Sequence, residues 1–238
     1  MKPPIFAGLT DPGRQRDHNE DAFALAPELG IAVLADGMGG HNAGDVASAI
    51  AVNTTMAILR QTAGLAARDR LETAVQAAHA GIREKAASSA RYNGMGTTLV
   101  AVLVEGQTLT VAHVGDSRLY RLRSGQLTAL TRDHSLLQEF IDKGLYSPEE
   151  ARRKVARNIL THALGLEDSL TLAIGGHATQ AGDRYLLCSD GLYEMLSETE
   201  TAALLGRDMT PAAACPVLIE LANAKGGKDN ITVIVIDT

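Results

Sequence analysis

The sequence predicts an α+β fold of antiparallel strands with helices laid over sheet faces, and three observations lead there. Short apolar runs rich in Val, Ile and Leu recur along the chain, as buried strands do. Consecutive runs are joined by tight turns such as Glu105-Gly106-Gln107 and Arg123-Ser124-Gly125, the signature of a meander. Helical periodicity comes in clusters instead of after every strand, which argues against a βαβ repeat.

The first strands fall at 6–9, 22–25 and 31–35, separated by Asp, Gly and Pro. A helix follows, with Val46, Ile50, Thr54 and Ile58 at four-residue spacing, Ala47 and Ala51 beside them, and Asn42 as its cap. Leu71, Val75, Ala78 and Ile82 mark a second amphipathic helix, so both are expected on one sheet. Strands at 97–104, 109–114, 117–122 and 127–130 form the meander. Leu136, Leu137, Phe140 and Ile141 signal a short helix, and Ser147-Pro148-Glu149-Glu150 starts another within a polar surface stretch. Strands at 170–174, 184–188 and 231–236 complete the set, with helices at 198–205 and 211–224 between the last two.

At 238 residues, with no Pro/Ser-rich linker or charge block, the chain reads as one domain. Aromatic residues are only 3% and Trp is absent, so the core must rest on Ala, Val, Leu and Ile. A net charge of −6 argues against nucleic-acid binding. Met1-Lys2-Pro3-Pro4-Ile5-Phe6 lacks the apolar stretch of a signal peptide, and no run of about eighteen apolar residues is present to span a membrane. The expectation is a cytoplasmic protein without a membrane partner, with Cys188 and Cys215 as buried thiols in a reducing compartment.

Four aspartates sit at the ends or starts of apolar runs: Asp36, Asp116, Asp190 and Asp229. If those strand ends meet, the carboxylates crowd where water screens them poorly, and shared protons or divalent cations relieve the repulsion. Acidic oxygen ligands without a Cys or His cluster favour hard ions, Mg²⁺ or Mn²⁺. The chain therefore reads as a metal-dependent enzyme. The Gly37–Gly44 stretch lacks the Gly-x-x-x-x-Gly-Lys pattern of a phosphate loop, which removes a nucleotide-binding reading.

Thr10 to Phe23, Asp36-Gly37-Met38-Gly39-Gly40-His41, Gly96-Thr97-Thr98, Val114-Gly115-Asp116-Ser117-Arg118, Asp133-His134-Ser135, Ser189-Asp190-Gly191-Leu192 and Asp229-Asn230 occur in an order and spacing that resemble the PP2C (PPM) family of metal-dependent Ser/Thr protein phosphatases. Its compact bacterial members carry Asp-Gly-Met-Gly-Gly-His. The resemblance implies a four-layer α-β-β-α sandwich with two central antiparallel sheets, spanning 1–238, with a flap at about 140–165. It implies two core ions and a looser third: Asp36 and the Gly37 carbonyl serve the first, Asp36, Asp190 and Asp229 the second, Asp116 with Asp190 the third. Glu20 and Asp21 would hold metal-bound waters. Arg16 is the candidate for binding the phosphate dianion, since Arg presents two parallel donors.

The implied reaction is hydrolysis of phosphoserine and phosphothreonine in proteins by direct attack of a metal-bridging hydroxide, opposing a Ser/Thr kinase. Met38 stands where animal members have the His taken as acid, so proton transfer to the leaving alkoxide falls to His41 or to a metal-bound water. The rival reading is a catalytically silent phosphoprotein-binding regulator, which loss of a metal-bearing Asp would favour. The expected state is a monomer. His79, His113, His162 and His177 have no ligand spacing, and His134 reads as a fixer of local hydrogen bonds. Arg152, Arg153, Lys154 and Arg157 form a solvated helix face or a lure for phosphorylated partners.

Overall fold

In the computed structural model, which describes residues 3–39, 43–156, 159–166 and 168–238, the apolar runs become two antiparallel sheets. One sheet runs, in spatial order, β1 (Ile5–Asp11), β11 (Ile231–Asp237), β10 (Arg184–Cys188), β7 (Arg118–Arg123) and β8 (Gln126–Ala129). The other runs β2 (Asp21–Ala26), β3 (Ile31–Met38), β5 (Leu99–Glu105), β6 (Thr108–Val114) and β9 (Ala173–Ala178), with the short β4 (Gly96–Thr97) also paired on β3.

Successive side chains on a strand point to opposite faces, so a strand buried on both sides reads as a continuous apolar run. In β3 the two sets separate cleanly. Ala32 and Leu34 enter the layer between the sheets, against Val100, Val102, Tyr185, Leu187, Ile234 and Ile236. Ile31, Val33 and Ala35 face the opposite way, into a layer capped by α1 (Gly44–Gln61) and α2 (Ala67–Ala87). On the far side Ile231, Val233 and Val235 pack under α6 (Glu198–Leu205) and α7 (Pro211–Ala224). The result is the expected α-β-β-α order of layers. Truncating a side chain such as Leu34, fully buried between the sheets, should cost about 2–5 kcal/mol.

Aliphatic residues and alanine fill this core, with Tyr185 the largest fully buried side chain, its hydroxyl 3.0 Å from Asp183 Oδ2. Cys188 and Cys215 are buried and unpaired, and burial pushes their thiols up to about 12 and about 11.

Two expectations need correction, and a third falls outside the described residues. The buried face of α1 runs through Ala47, Ala51, Thr55 and Leu59 with Ser48, Val52 and Met56, while Val46, Ile50 and Ile58 are only partly buried. Small side chains let the helix lie close on the sheet, and Ile50 instead reaches Gly81 of α2. The Asn42 cap lies outside the described residues, and Ala43, immediately before α1, makes no side-chain cap. The strand expected at 170–174 is displaced to β9, whose Gly175-Gly176 hides the apolar alternation, while Leu170 and Leu172 pack against the helical layer.

The segment between β8 and β9 carries α3 (Leu136–Asp142) and α4 (Pro148–Lys154). Ser147 and Glu150 form a reciprocal capping box at the start of α4, satisfying two otherwise unpaired backbone donors. A short α5 (Asp190–Tyr193), absent from the sequence reading, follows β10 directly.

Candidate active site

The predicted carboxylates collect at one end of the two sheets. Asp36 lies near the end of β3, and its backbone is fixed by Thr97 and Thr98. The Asp36 N–H donates to Thr98 Oγ1 at 3.0 Å, while its carbonyl accepts from the Thr98 N–H at 2.9 Å and the Thr97 hydroxyl at 2.8 Å. Thr98 thus keeps the ladder intact between the Leu34–Val100 and Gly37–Thr97 pairs with its side chain in place of its carbonyl. The same hydroxyl is 2.7 Å from Ser117 Oγ, tying Asp36 to the turn that carries Asp116.

Gly37 is required by the backbone that crowds it. A Cβ there would lie 2.2 Å from the Gly44 carbonyl oxygen and 2.5 Å from that of Glu20. This close approach brings the first turn of α1 to Glu20, whose carboxylate accepts from the Gly44 N–H. Burial still raises the Glu20 pKa above its ordinary value, outweighing that hydrogen bond.

Asp21 stands opposite Asp36 across β2 and β3. One oxygen accepts from Ser189, just past the end of β10, at 2.8 Å and from Thr232 of β11 at 2.6 Å, whereas Oδ1 is buried with no donor. Burial, then the charge of Asp229, pushes Asp21 up to about 6 despite those two hydroxyls. For Asp36 burial dominates, followed by Asp21, Asp190, Asp116 and Asp229, and its pKa is raised well above the ordinary range. Asp190, the first residue of α5, is raised for the same reason, with burial ahead of Asp116 and Asp229. Asp116 is pushed up to about 6 by burial and then Asp133.

Asp229 and Arg16 meet at the mouth. Arg16 Nη2 donates to Asp229 Oδ2 at 2.7 Å, and half of the arginine side chain remains exposed. Gly13, at a φ of +82°, lets the preceding loop press on this point, since a Cβ there would lie 2.2 Å from the Asp229 carbonyl oxygen. Asn230 clamps the loop from below. Its Oδ1 accepts from the Glu20 N–H at 2.8 Å, and its Nδ2 donates to the carbonyls of Pro12 at 3.0 Å and His18 at 2.9 Å.

The charges of Asp116 and Asp229 thus bear on both Asp36 and Asp190, with Glu20, Asp21 and Gly37 beside them. Among the described residues, however, no three His, Cys, Asp or Glu side chains close into a metal-ligand set. Several of these carboxylates have protein partners: Arg16 on Asp229, Tyr193 on Asp116, Ser189 and Thr232 on Asp21. The donor chemistry fits a hard divalent ion, with oxygen acceptors throughout and a buried Asp21 oxygen that lacks a donor. His41 lies outside the described residues.

Sequence reasoning assigned no role to Asn230, Ser189, Thr232, Thr98 or Tyr193. Each acts through a partner distant in the chain, and the only trace in the sequence is that all five lie inside or next to the motif segments. His134 does fix local hydrogen bonds: its Nδ1 accepts from the Gly115 N–H at 3.3 Å, and its own N–H donates to the Gly115 carbonyl at 2.9 Å.

A two-sheet sandwich with an oxygen-only acidic centre at one end and an arginine at its mouth defines a class of hydrolytic fold, and comparison with known proteins identifies the family. The protein phosphatase 2C profile matches residues 13–217. The chain is 41% identical to the serine/threonine phosphatase Stp of Listeria monocytogenes over 235 residues, covering 96% of this chain and 93% of that protein. It is also 41% identical to the serine/threonine protein phosphatase PstP of Mycobacterium tuberculosis, covering 98% of this chain and 44% of that longer protein. The crystal structure of the Mycobacterium tuberculosis phosphatase PstP superimposes with a TM-score of 0.92 at 38% identity, covering 98% of each chain. A structure of the PstP catalytic domain in complex with two manganese ions gives 0.89 at 37% identity, covering 98% of this chain and 97% of that one. The chain belongs to the protein phosphatase 2C family.

Proposed function

We propose that this chain is a metal-dependent protein-serine/threonine phosphatase that hydrolyses phosphoserine and phosphothreonine in proteins, using Mn²⁺ or Mg²⁺. The observation that carries this is the mutual crowding of Asp36, Asp190, Asp116 and Asp229 beside Arg16, in a family whose relatives are named Ser/Thr phosphatases. Asp36, Asp190, Asp229 and the Gly37 carbonyl would hold two core ions, and Asp116 with Asp190 a third. Such ions supply charge neutralisation and an acidified water for in-line displacement at phosphorus.

The remaining work falls to the chain itself. Arg16, half exposed and already oriented by Asp229, would bind two oxygens of the phosphate dianion and stabilise charge that builds up in transfer. Asp21 and Glu20 would orient water at the centre. His41 is proposed as donor of the proton to the leaving alkoxide. The silent-regulator reading has no supporting observation, since every candidate metal-bearing Asp is present.

The finer assignments belong to the same proposal: cytoplasmic location and a role in signal transduction, action as a monomer, and substrates that include a Ser/Thr kinase and its targets. No described helix is long and apolar enough to cross a membrane. The segment at about 140–165 is proposed as a flap within the single domain. Arg152, Arg153 and Lys154 on it are exposed, consistent with either a solvated face or a lure for phosphoproteins; neutralising them with Arg157 should lower phosphoprotein turnover and its salt dependence if the lure is real.

The test is phosphate release from a phosphothreonine peptide by the full chain with Mn²⁺, with excess chelator, and in Asp36→Asn. Release that needs Mn²⁺ and is lost in the variant supports the assignment. Peptide binding without release in wild type would support the silent regulator.

A further inference from the structure

Arg118 and Asp133 lie in two of the segments that carry the family resemblance, but neither belongs to the site as described so far. Arg118, at the start of β7, directs Nε and Nη2 at the two oxygens of Asp133, at 2.9 and 2.6 Å. Its Nη1 donates to the Tyr120 hydroxyl at 2.8 Å. The guanidinium is thereby held over the ring of Tyr193, 3.7 Å from its centroid. The Tyr193 hydroxyl donates to Asp116 Oδ2 at 3.1 Å.

We propose that Tyr193 is a positioning residue for Asp116, locked by the Arg118–Asp133 pair, and that this relay sets the affinity of the most weakly held divalent ion. The inference rests on the reading of Asp116 as a ligand. A carboxylate that rotates freely must be ordered when it binds an ion, whereas one oxygen fixed by a hydroxyl leaves less to order. The hydroxyl is fixed only if the ring is. One face of the ring is covered by a guanidinium that is itself pinned in a two-point, planar pair. Three separate elements thus converge on a single oxygen: β7, the loop after β8, and α5.

The backbone beside Asp116 is held from the same loop. His134, the neighbour of Asp133, grips both the N–H and the carbonyl of Gly115. The loop therefore constrains Asp116 twice, through main chain by His134 and through side chain by Asp133, Arg118 and Tyr193. On their other side Arg118, Asp133 and Tyr193 line a cleft of about 420 Å³, so conservative changes there leave no buried cavity in the core.

The experiment is calorimetric Mn²⁺ titration of metal-stripped wild type, Tyr193→Phe, Arg118→Lys, the double variant and Asp116→Asn, alongside thermal melting in chelator. Tyr193→Phe and Arg118→Lys should each weaken the weakest binding step by roughly 10-fold and leave the tighter steps unchanged. The double variant should bind no more weakly than Tyr193→Phe alone, because Arg118 acts through that ring. A weakest step that survives Tyr193→Phe but is lost in Asp116→Asn overturns the positioning role alone. A full set of steps surviving in Asp116→Asn overturns the ligand assignment and the relay with it. Additive losses in the double variant remove Arg118 from the relay, and a drop in melting temperature with unchanged Mn²⁺ binding reduces all three residues to fold stability.

Discussion

Asp21 and Asp36 stand directly opposite one another across the β2–β3 pair, and after burial the charge of Asp21 is the largest influence raising the Asp36 pKa. Two acids so placed in a poorly solvated site do not both ionise without a cation or further donors, and Asp21 Oδ1 has no donor. The pair is therefore a point of stored repulsion that a divalent ion relieves.

That repulsion fixes the sign of the pH dependence of the metal-free protein. The folded pKa of Asp21 and of Asp116 is raised to about 6, and those of Asp36 and Asp190 are raised well above the ordinary value. Between the unfolded value of about 4 and the raised folded value, the native state binds more protons than the unfolded chain, so stability falls as pH rises. Each group near 6 would remove about 3 kcal/mol across that window, with the coupled cluster giving less than the sum. Melting temperature in chelator should therefore drop from pH 5 to pH 7.5. A flat or rising profile would contradict the crowding.

Saturating Mn²⁺ should offset part of the loss at pH 7.5, because each ion that binds only the native state at about a hundred times its Kd adds about 2.7 kcal/mol. Zn²⁺ should restore turnover poorly to chelated enzyme. Differential scanning fluorimetry with and without Mn²⁺ reads the first effect, and phosphate release with each ion reads the second.

Asp36→Asn should lower turnover by about 10²–10³-fold or more at saturating Mn²⁺. The same change removes a like charge from the cluster, so the metal-free variant should melt no lower than wild type. Retained turnover would remove Asp36 from the residues proposed to hold the ions.

Arg16→Ala should raise KM for phosphorylated peptides about 10-fold with a smaller effect on kcat, and Arg16→Lys should not restore it, because the ammonium cannot make the paired contact. Stability should hardly change, since an ion pair with one side chain 53% and the other 35% exposed contributes about 0–1 kcal/mol. An unchanged KM would leave Arg16 as no more than the surface partner of Asp229.

Asn230→Ala offers the opposite signature. The amide is buried and its three hydrogen bonds tie β11 to the loop from Pro12 to Glu20, so its loss should destabilise by about 2–4 kcal/mol and also raise KM by loosening Arg16. Denaturant unfolding and steady-state kinetics on one preparation separate the two effects.

All strand positions but that of β9, the two helices α1 and α2 and the four aspartates were legible in the sequence by itself, because apolar period, turn chemistry and a charge at the end of a buried run are local properties. Local order cannot state which distant groups meet. Only the tertiary structure decided that α1 buries its alanines, that Thr98 lends its hydroxyl to a strand ladder, and that Ser189 and Thr232 donate to Asp21 across the sandwich. Partners such as Asp21 and Thr232 are 211 residues apart, and what joins them is the packing of one sheet on another, a free energy summed over the whole core and written in no single segment.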